Sequence, residues 1–173
     1  MTDGLERARE RRNLLERLGA RIPGFGGYLE REMRREVDKM QRDWLAERLD
    51  RARESLQRRV RDWSRAGNLA NLDIASSVDK RLDRVANRVR HADYGISGFF
   101  DVVKIYEPEL ERLYAFDLAL GDEVEALLQR VDDLPATAAE PELRGVLEAV
   151  ETFDRQFDQR ARIFEDVTQR GGA

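Results

Sequence analysis

The sequence predicts an all-α fold, an elongated antiparallel helical bundle of four to five long helices with coiled-coil-like seams. Three observations lead there. The stretch from Tyr28 to Ala66 contains neither Gly nor Pro, and its apolar residues return at helical spacing. Two later stretches place apolar residues at alternating steps of three and four, the spacing of helices that pack along their length. No alternating run of β-branched residues occurs, and no Asn-Gly or Asp-Gly pair joins two apolar segments, so nothing reads as a strand. The 173 residues suit a single domain spanning 1–173, with fraying expected at 1–10 and 168–173.

A first helix is expected over 4–20, with Leu15, Leu18 and Ile22 on its apolar side. Ile22-Pro23-Gly24-Phe25-Gly26-Gly27 breaks it. The second helix, 28–66, would be roughly 58 Å long at ~1.5 Å per residue. Its stripe includes Val37, Met40, Trp44, Leu49, Leu56 and Trp63, and its mean step is longer than the ~3.5 residues of a left-handed coiled coil, so the stripe drifts around the helix. Gly67-Asn68 ends it, and 68–74 reads as a short connection or a loose first turn. The third helix carries Val78, Leu82, Val85, Val89 and Ala92 at steps of 4, 3, 4 and 3, with Gly95 as its expected C-terminal residue. A fourth runs Leu110, Leu113, Asp117, Leu120, Val124, Leu127, Val131, Leu134, with Pro108 at or before its start. The loop 135–139 leads to a last helix from Pro141, with its stripe at Leu143, Val146, Val150, Phe153, Phe157, Ala161, Phe164 and Val167.

Composition excludes several chemistries. The chain has no cysteine, which removes disulfides, thiolate metal sites and cysteine nucleophiles. Its one histidine, His91, cannot build the paired Glu-x-x-His motifs of di-iron bundles or a multi-histidine zinc site. No phosphate-binding G-x-x-x-x-G-K-[ST] loop, dinucleotide G-x-G-x-x-G or nucleophile G-x-S-x-G is present. No cofactor is expected. No apolar h-region opens the chain and no run approaches the ~20 apolar residues of a membrane span, so the expected location is cytoplasmic.

The net charge of −4 hides an asymmetry: residues 1–65 carry +5, residues 66–106 carry +1, and residues 107–173 carry −10. The simplest account pairs a basic N-terminal half with an acidic C-terminal half inside one molecule; association between copies is the other. The arginines of 28–66 raise the question of nucleic acid. Acids are interspersed among them, including Asp38, and pairs such as Glu47–Arg51 have the Glu-first i,i+4 spacing of a self-paired face, so nucleic acid is not the expected partner.

Asp117 is the sharpest anomaly, an acid at a seam position where the pattern calls for Leu. Burying a carboxylate requires a partner, an arginine or tyrosine that fixes register. The alternative is a polar site in the bundle with Tyr114, Tyr106 and His91 nearby; the bland reading of His91 is an imidazole at a helix C-terminus. Phe99, Phe100, Val102 and Val103 lie in the most apolar segment, read either as buried core or as an interaction patch. Only Lys104 accompanies them as a cation, which counts against a membrane surface. The function these readings favour is a non-catalytic bundle that works through protein–protein interaction or self-association, with homo-oligomers included. A small-molecule or carboxylate–metal site around Asp117, conceivably enzymatic, is the alternative, and a nucleic-acid role for 28–66 the third.

Overall fold

The computed structural model describes residues 2–26, 34–92, 107–137 and 140–170. Within them lie five helices: α1 (Thr2–Arg21), α2 (Arg34–Arg65), α3 (Leu72–Arg90), α4 (Glu107–Asp132) and α5 (Glu140–Arg170). No strand occurs among the described residues. The fold is an all-α helical bundle.

Helix boundaries follow local chemistry. Gly67, at φ 73°, ends α2; the amide of Asn68 donates to the Trp63 carbonyl at 2.9 Å and that of Gly67 to Ser64 at 3.1 Å. This paired closure needs a left-handed residue, which glycine adopts without a Cβ penalty. Helix α3 begins at Leu72, so the end of 68–74 is the first turn of that helix and its beginning the connection. Asn71 sits just ahead of it at φ 66°, and its carbonyl accepts from the Ala75 amide. The α3 C-cap is His91; Gly95 lies outside the described residues. Helix α1 extends back to Thr2 and α5 on to Arg170, so residues 2–10 and 168–170 of the expected frayed ends are helical. The first turns of the expected helix 28–66, residues 28–33, fall outside the described residues; α2 itself is 32 residues, about 48 Å long.

Four helices surround the core in the order α2, α3, α5, α4. The pairs joined by short turns, α2/α3 and α4/α5, are antiparallel hairpins. Across the hairpins the neighbours run parallel: Gln41, Arg48 and Ser55 of α2 meet Asp117, Glu125 and Asp132 of α4 in the same order. Helix α3 runs beside α5 in the same sense, with Arg81 and Arg88 on Asp154 and Asp158. Helix α1 lies on α4, where Arg21 reaches Asp122 and the Leu118 carbonyl. One end of the bundle therefore holds the α2 N-terminus, the α3 C-terminus, the α4 N-terminus and the α5 C-terminus. The opposite end holds both hairpin turns, tied together by the Trp63 indole donating to the Pro135 carbonyl at 3.2 Å.

The core uses the seam positions. Val78, Leu82, Val85 and Val89 from α3, and Leu113, Leu120, Val124 and Leu127 from α4, are buried. On α5, Leu143, Val146, Val150, Phe153 and Phe157 are buried, with Phe153 and Phe157 stacked at 6.5 Å. The next seam residue is Arg160 rather than the expected Ala161, which is half-buried. The three–four alternation continued from Phe157 designates 160, and the charged side chain there is wholly buried. The chain's charge asymmetry is resolved internally: basic side chains of α1, α2 and α3 meet acids of α4 and α5, as Arg21–Asp122, Arg48–Glu125 and Arg81–Asp154 do.

Candidate functional site

The buried charges of the bundle gather in one layer near the end where α4 begins. Asp117 is 0% exposed, as the seam spacing on α4 requires. Facing it from α5 is Arg160, also 0% exposed. Arg160 Nε donates to Asp117 Oδ1 at 2.7 Å, and Nη2 donates to Oδ2 at 3.4 Å. Its third nitrogen, Nη1, donates to Asp38 Oδ1 on α2 at 2.6 Å. Each guanidinium nitrogen thus meets a carboxylate oxygen, which matches the planar, forked donor geometry of arginine. A lysine ammonium, a point charge, has no equivalent fork.

The chain of pairs continues outward. Asp38 Oδ2 accepts from Arg42 Nε at 2.8 Å, one helical turn along α2. Arg42 is largely buried too, and its Nη1 donates to the Arg90 carbonyl at 2.7 Å, one of the last carbonyls of α3. Such carbonyls have no acceptor role inside their own helix. Gln41, on the same face of α2, donates through Nε2 to the Asp117 carbonyl at 3.2 Å. All four helices of the ring are joined here: α4 through Asp117, α5 through Arg160, α2 through Asp38, Gln41 and Arg42, and α3 through its terminal carbonyl. Among the described residues, two carboxylates and two guanidiniums meet in this layer, and their formal charges cancel.

Tyr114 lies one turn before Asp117 on α4 and is fully buried, with its ring edge-on to Phe25 at 6.4 Å. His91 does not join the layer. It is exposed at the α3 C-terminus, where its Nδ1 pairs with the Asn87 carbonyl at 2.9 Å. An imidazole at that position satisfies a carbonyl of the last turn and faces water, so the seam of α3 never carries it inward. Tyr106 lies outside the described residues, as do Phe99, Phe100, Val102 and Val103 of the apolar segment. Asp38, which sequence placed among the solvated acids of the second helix, is 1% exposed. Asp38, Gln41, Leu45, Leu49 and Ala52 form one inward row on α2, and its period was the signal that could have found Asp38 and Gln41.

The layer's chemistry is limited by its own pairing. Arginine does not give up its proton in proteins. Both aspartates already face guanidinium nitrogens. Among the described residues no group of three or more His, Asp or Glu side chains is placed to hold a metal. Several further arginines of α2 are also engaged: Arg53 with Asp79 and Asp83, Arg51 with Glu47, and Arg59 with the Asp132 carbonyl. Among the described residues no helix is long and apolar enough to cross a membrane.

The chain matches no protein-family model, no curated protein and no solved structure. Its functional reading rests on its own residues.

Proposed function

We propose that this chain is a non-catalytic helical bundle that acts by binding protein, as a scaffold or through self-association. The observation that carries this reading is the buried charge layer in which Asp38, Arg42, Asp117 and Arg160 pair with one another. The most reactive side chains in the interior are spent on holding four helices in register, a role attested for buried polar groups. What the molecule offers its surroundings is then the outside of long helices, with side-chain relief and mixed charge suited to another protein surface.

Cross-linking of the native protein in extract of its own cell, followed by mass spectrometry, tests the reading. The expected result is a reproducible set of links from outward residues of the bundle to one protein species, either this chain or another. A purified protein that links to no chain, and carries a stoichiometric small molecule or metal lost on Asp117→Asn, would overturn it in favour of a ligand site. Submicromolar DNA binding that weakens steeply with salt would overturn it in favour of a nucleic-acid role.

A further inference from the structure

Among the described residues Leu69 is the one large apolar side chain left exposed, at 62%. A single exposed leucine is ordinary on a protein surface; this one stands out by its setting in the α2/α3 turn. Residues 66–72, Ala-Gly-Asn-Leu-Ala-Asn-Leu, carry no charge, in a chain of which 38% is charged. Ala66 and Ala70 are exposed beside Leu69. Below the turn, on the outer side of the α2/α3 seam, lies a hollow of about 330 Å³. Its apolar lining is Leu56 and Val60 of α2 with Leu72 and Ala75 of α3, and exposed Arg61 and Ser76 stand at its mouth. The rim is held in place, because Asp79 accepts from Gln57 at 2.8 Å and from Arg53 at 3.0 Å. A protruding leucine and a braced apolar hollow therefore share one hairpin.

Leu69 does not fill the hollow of its own chain. The centre of the hollow lies about nine residues below the turn along α2, roughly 13 Å at ~1.5 Å per residue. A two-fold axis normal to the hairpin, midway between Leu69 and the hollow, seats each Leu69 in the hollow of the other copy. Because knob and hollow are neighbours, the contact closes on itself; on opposite sides of the molecule it would propagate into a filament. The same axis lays the last turns of α2 over the first turn of the partner's α3. Arg61 and Arg65 of one copy then flank Asp73 of the other, and all three are exposed. Among the described residues Arg61 and Asp73 have no ion-pair partner of their own. Arg65 reaches Asp62 on its own helix at 3.7 Å, an exposed pair of the kind that contributes little. The overlap, about 17 Å of two helices roughly 20 Å wide, covers on the order of 300 Å² per copy. A stable interface takes ~800 Å² per partner, so this contact belongs to the weak, concentration-dependent class.

We propose that the tip of the α2/α3 hairpin binds a second copy of this chain, Leu69 of each copy in the hollow of the other, with Arg61 and Arg65 against the partner's Asp73. This rests on the protein-binding reading above and names the partner. The uncharged turn makes the contact cheap to dry, because no ion is stripped of water as Leu69 enters. The shape sets the direction: copies overlapped tip to tip in the same sense would press Leu69 on Leu69 and leave both hollows open.

Sedimentation equilibrium of the full chain, over a concentration series reaching the millimolar range, tests it. The expected mass rises with concentration from 20.1 kDa toward twice that value. Leu69→Asp, at an exposed turn position, should weaken association on the order of tenfold or more. Ser76→Phe fills the hollow from its exposed mouth and should do the same from the other side of the contact. Arg61→Glu with Arg65→Glu should weaken it several-fold, and adding Asp73→Arg to that chain should restore most of the loss. Circular dichroism establishes that each variant keeps its helix content; Ala70→Arg, beside Leu69, replaces any that misfolds and should be monomeric. A parent that stays monomeric to the top of the series, or a dimer indifferent to both Leu69→Asp and Ser76→Phe, would overturn the proposal. The broader reading stands or falls separately: with the parent monomeric, cross-links to a different protein in cell extract would retain protein binding and remove the second copy as its partner.

Discussion

Replacing Arg160 by methionine removes the cation that serves two buried carboxylates at once. Arg160 is 0% exposed, and its guanidinium donates to Asp117 at 2.7 Å and to Asp38 at 2.6 Å. Removing one partner of a buried ion pair costs about 3–5 kcal/mol, chiefly because the remaining charge stays desolvated. Asp38 keeps Arg42 at 2.8 Å, so Asp117 bears most of the loss, and the expected cost stays within that range instead of doubling. Against a total stability of about 5–15 kcal/mol, this is a large fraction. At about 2–4 °C per kcal/mol for a chain of this size, the melting temperature should fall by roughly 6–20 °C. The double variant Arg160→Met with Asp117→Leu removes the charge left behind and keeps the Asp38–Arg42 pair, so it should recover most of the loss. Urea denaturation followed by circular dichroism measures all three proteins. A single variant within 1 kcal/mol of the parent, or a double variant no better than the single, would refute the assignment of the layer as a coupled ionic lock.

Glu123 lies half-buried between α4 and α5, where desolvation pushes its carboxyl above the usual range against an opposing pull from Arg155. A raised folded pKa contributes stability that is present below the unfolded pKa and lost as pH rises through the folded one; Glu123→Gln should melt higher than the parent at pH 7, and that advantage should vanish in acid in a calorimetric pH series. Gly121 admits Arg21 and the Trp44 ring against α4, with an added Cβ 2.6 Å from Arg21 Nη1 and 3.4 Å from Trp44. The arginine tip can yield, so Gly121→Ala should stay within about 1 kcal/mol of the parent through its helix preference, whereas Gly121→Leu should lose roughly 1–3 kcal/mol by overpacking, both read by urea denaturation. Because Arg42, Arg48, Arg51, Arg53 and Arg59 of α2 already meet carboxylates or carbonyls, fluorescence titration with duplex DNA at physiological salt should give a Kd on the order of 10⁻⁴ M or weaker.

Much of the fold is written in the spacing of apolar residues. The α3, α4 and α5 seams could be followed residue by residue, and Asp117 stood out as an acid among leucines and valines. Its partner did not stand out. Scanning for apolar residues steps over Arg160 to Ala161, although the alternation from Phe153 and Phe157 lands on 160. Asp38 was masked in a different way: a helix with acids and arginines on nearly every turn offers many plausible solvent pairs, and only the inward row through Gln41, Leu45 and Leu49 separates the buried acid from the rest. Which helices become parallel neighbours was beyond reach, since it depends on how two hairpins dock and no local preference records that. Asp38 and Arg160 are 122 residues apart in the chain, and local periodicity carries no information about such a pairing.

The neutral layer also constrains how this sequence can change over generations. Positions 38, 42, 117 and 160 share a single electrostatic condition, that their charges cancel out of water. A lone neutralising step at 117 or 160 passes through a molecule that has lost about 3–5 kcal/mol, which a marginally stable bundle scarcely survives. Drift at this level of the bundle is therefore expected to proceed in linked moves, with Asp117 and Arg160 exchanged together and Asp38 moving with Arg42. Diverged descendants should carry the whole quartet, a surviving pair, or an apolar plug, and seldom three of the four. The four helices have, in effect, a shared inheritance at one depth of the bundle.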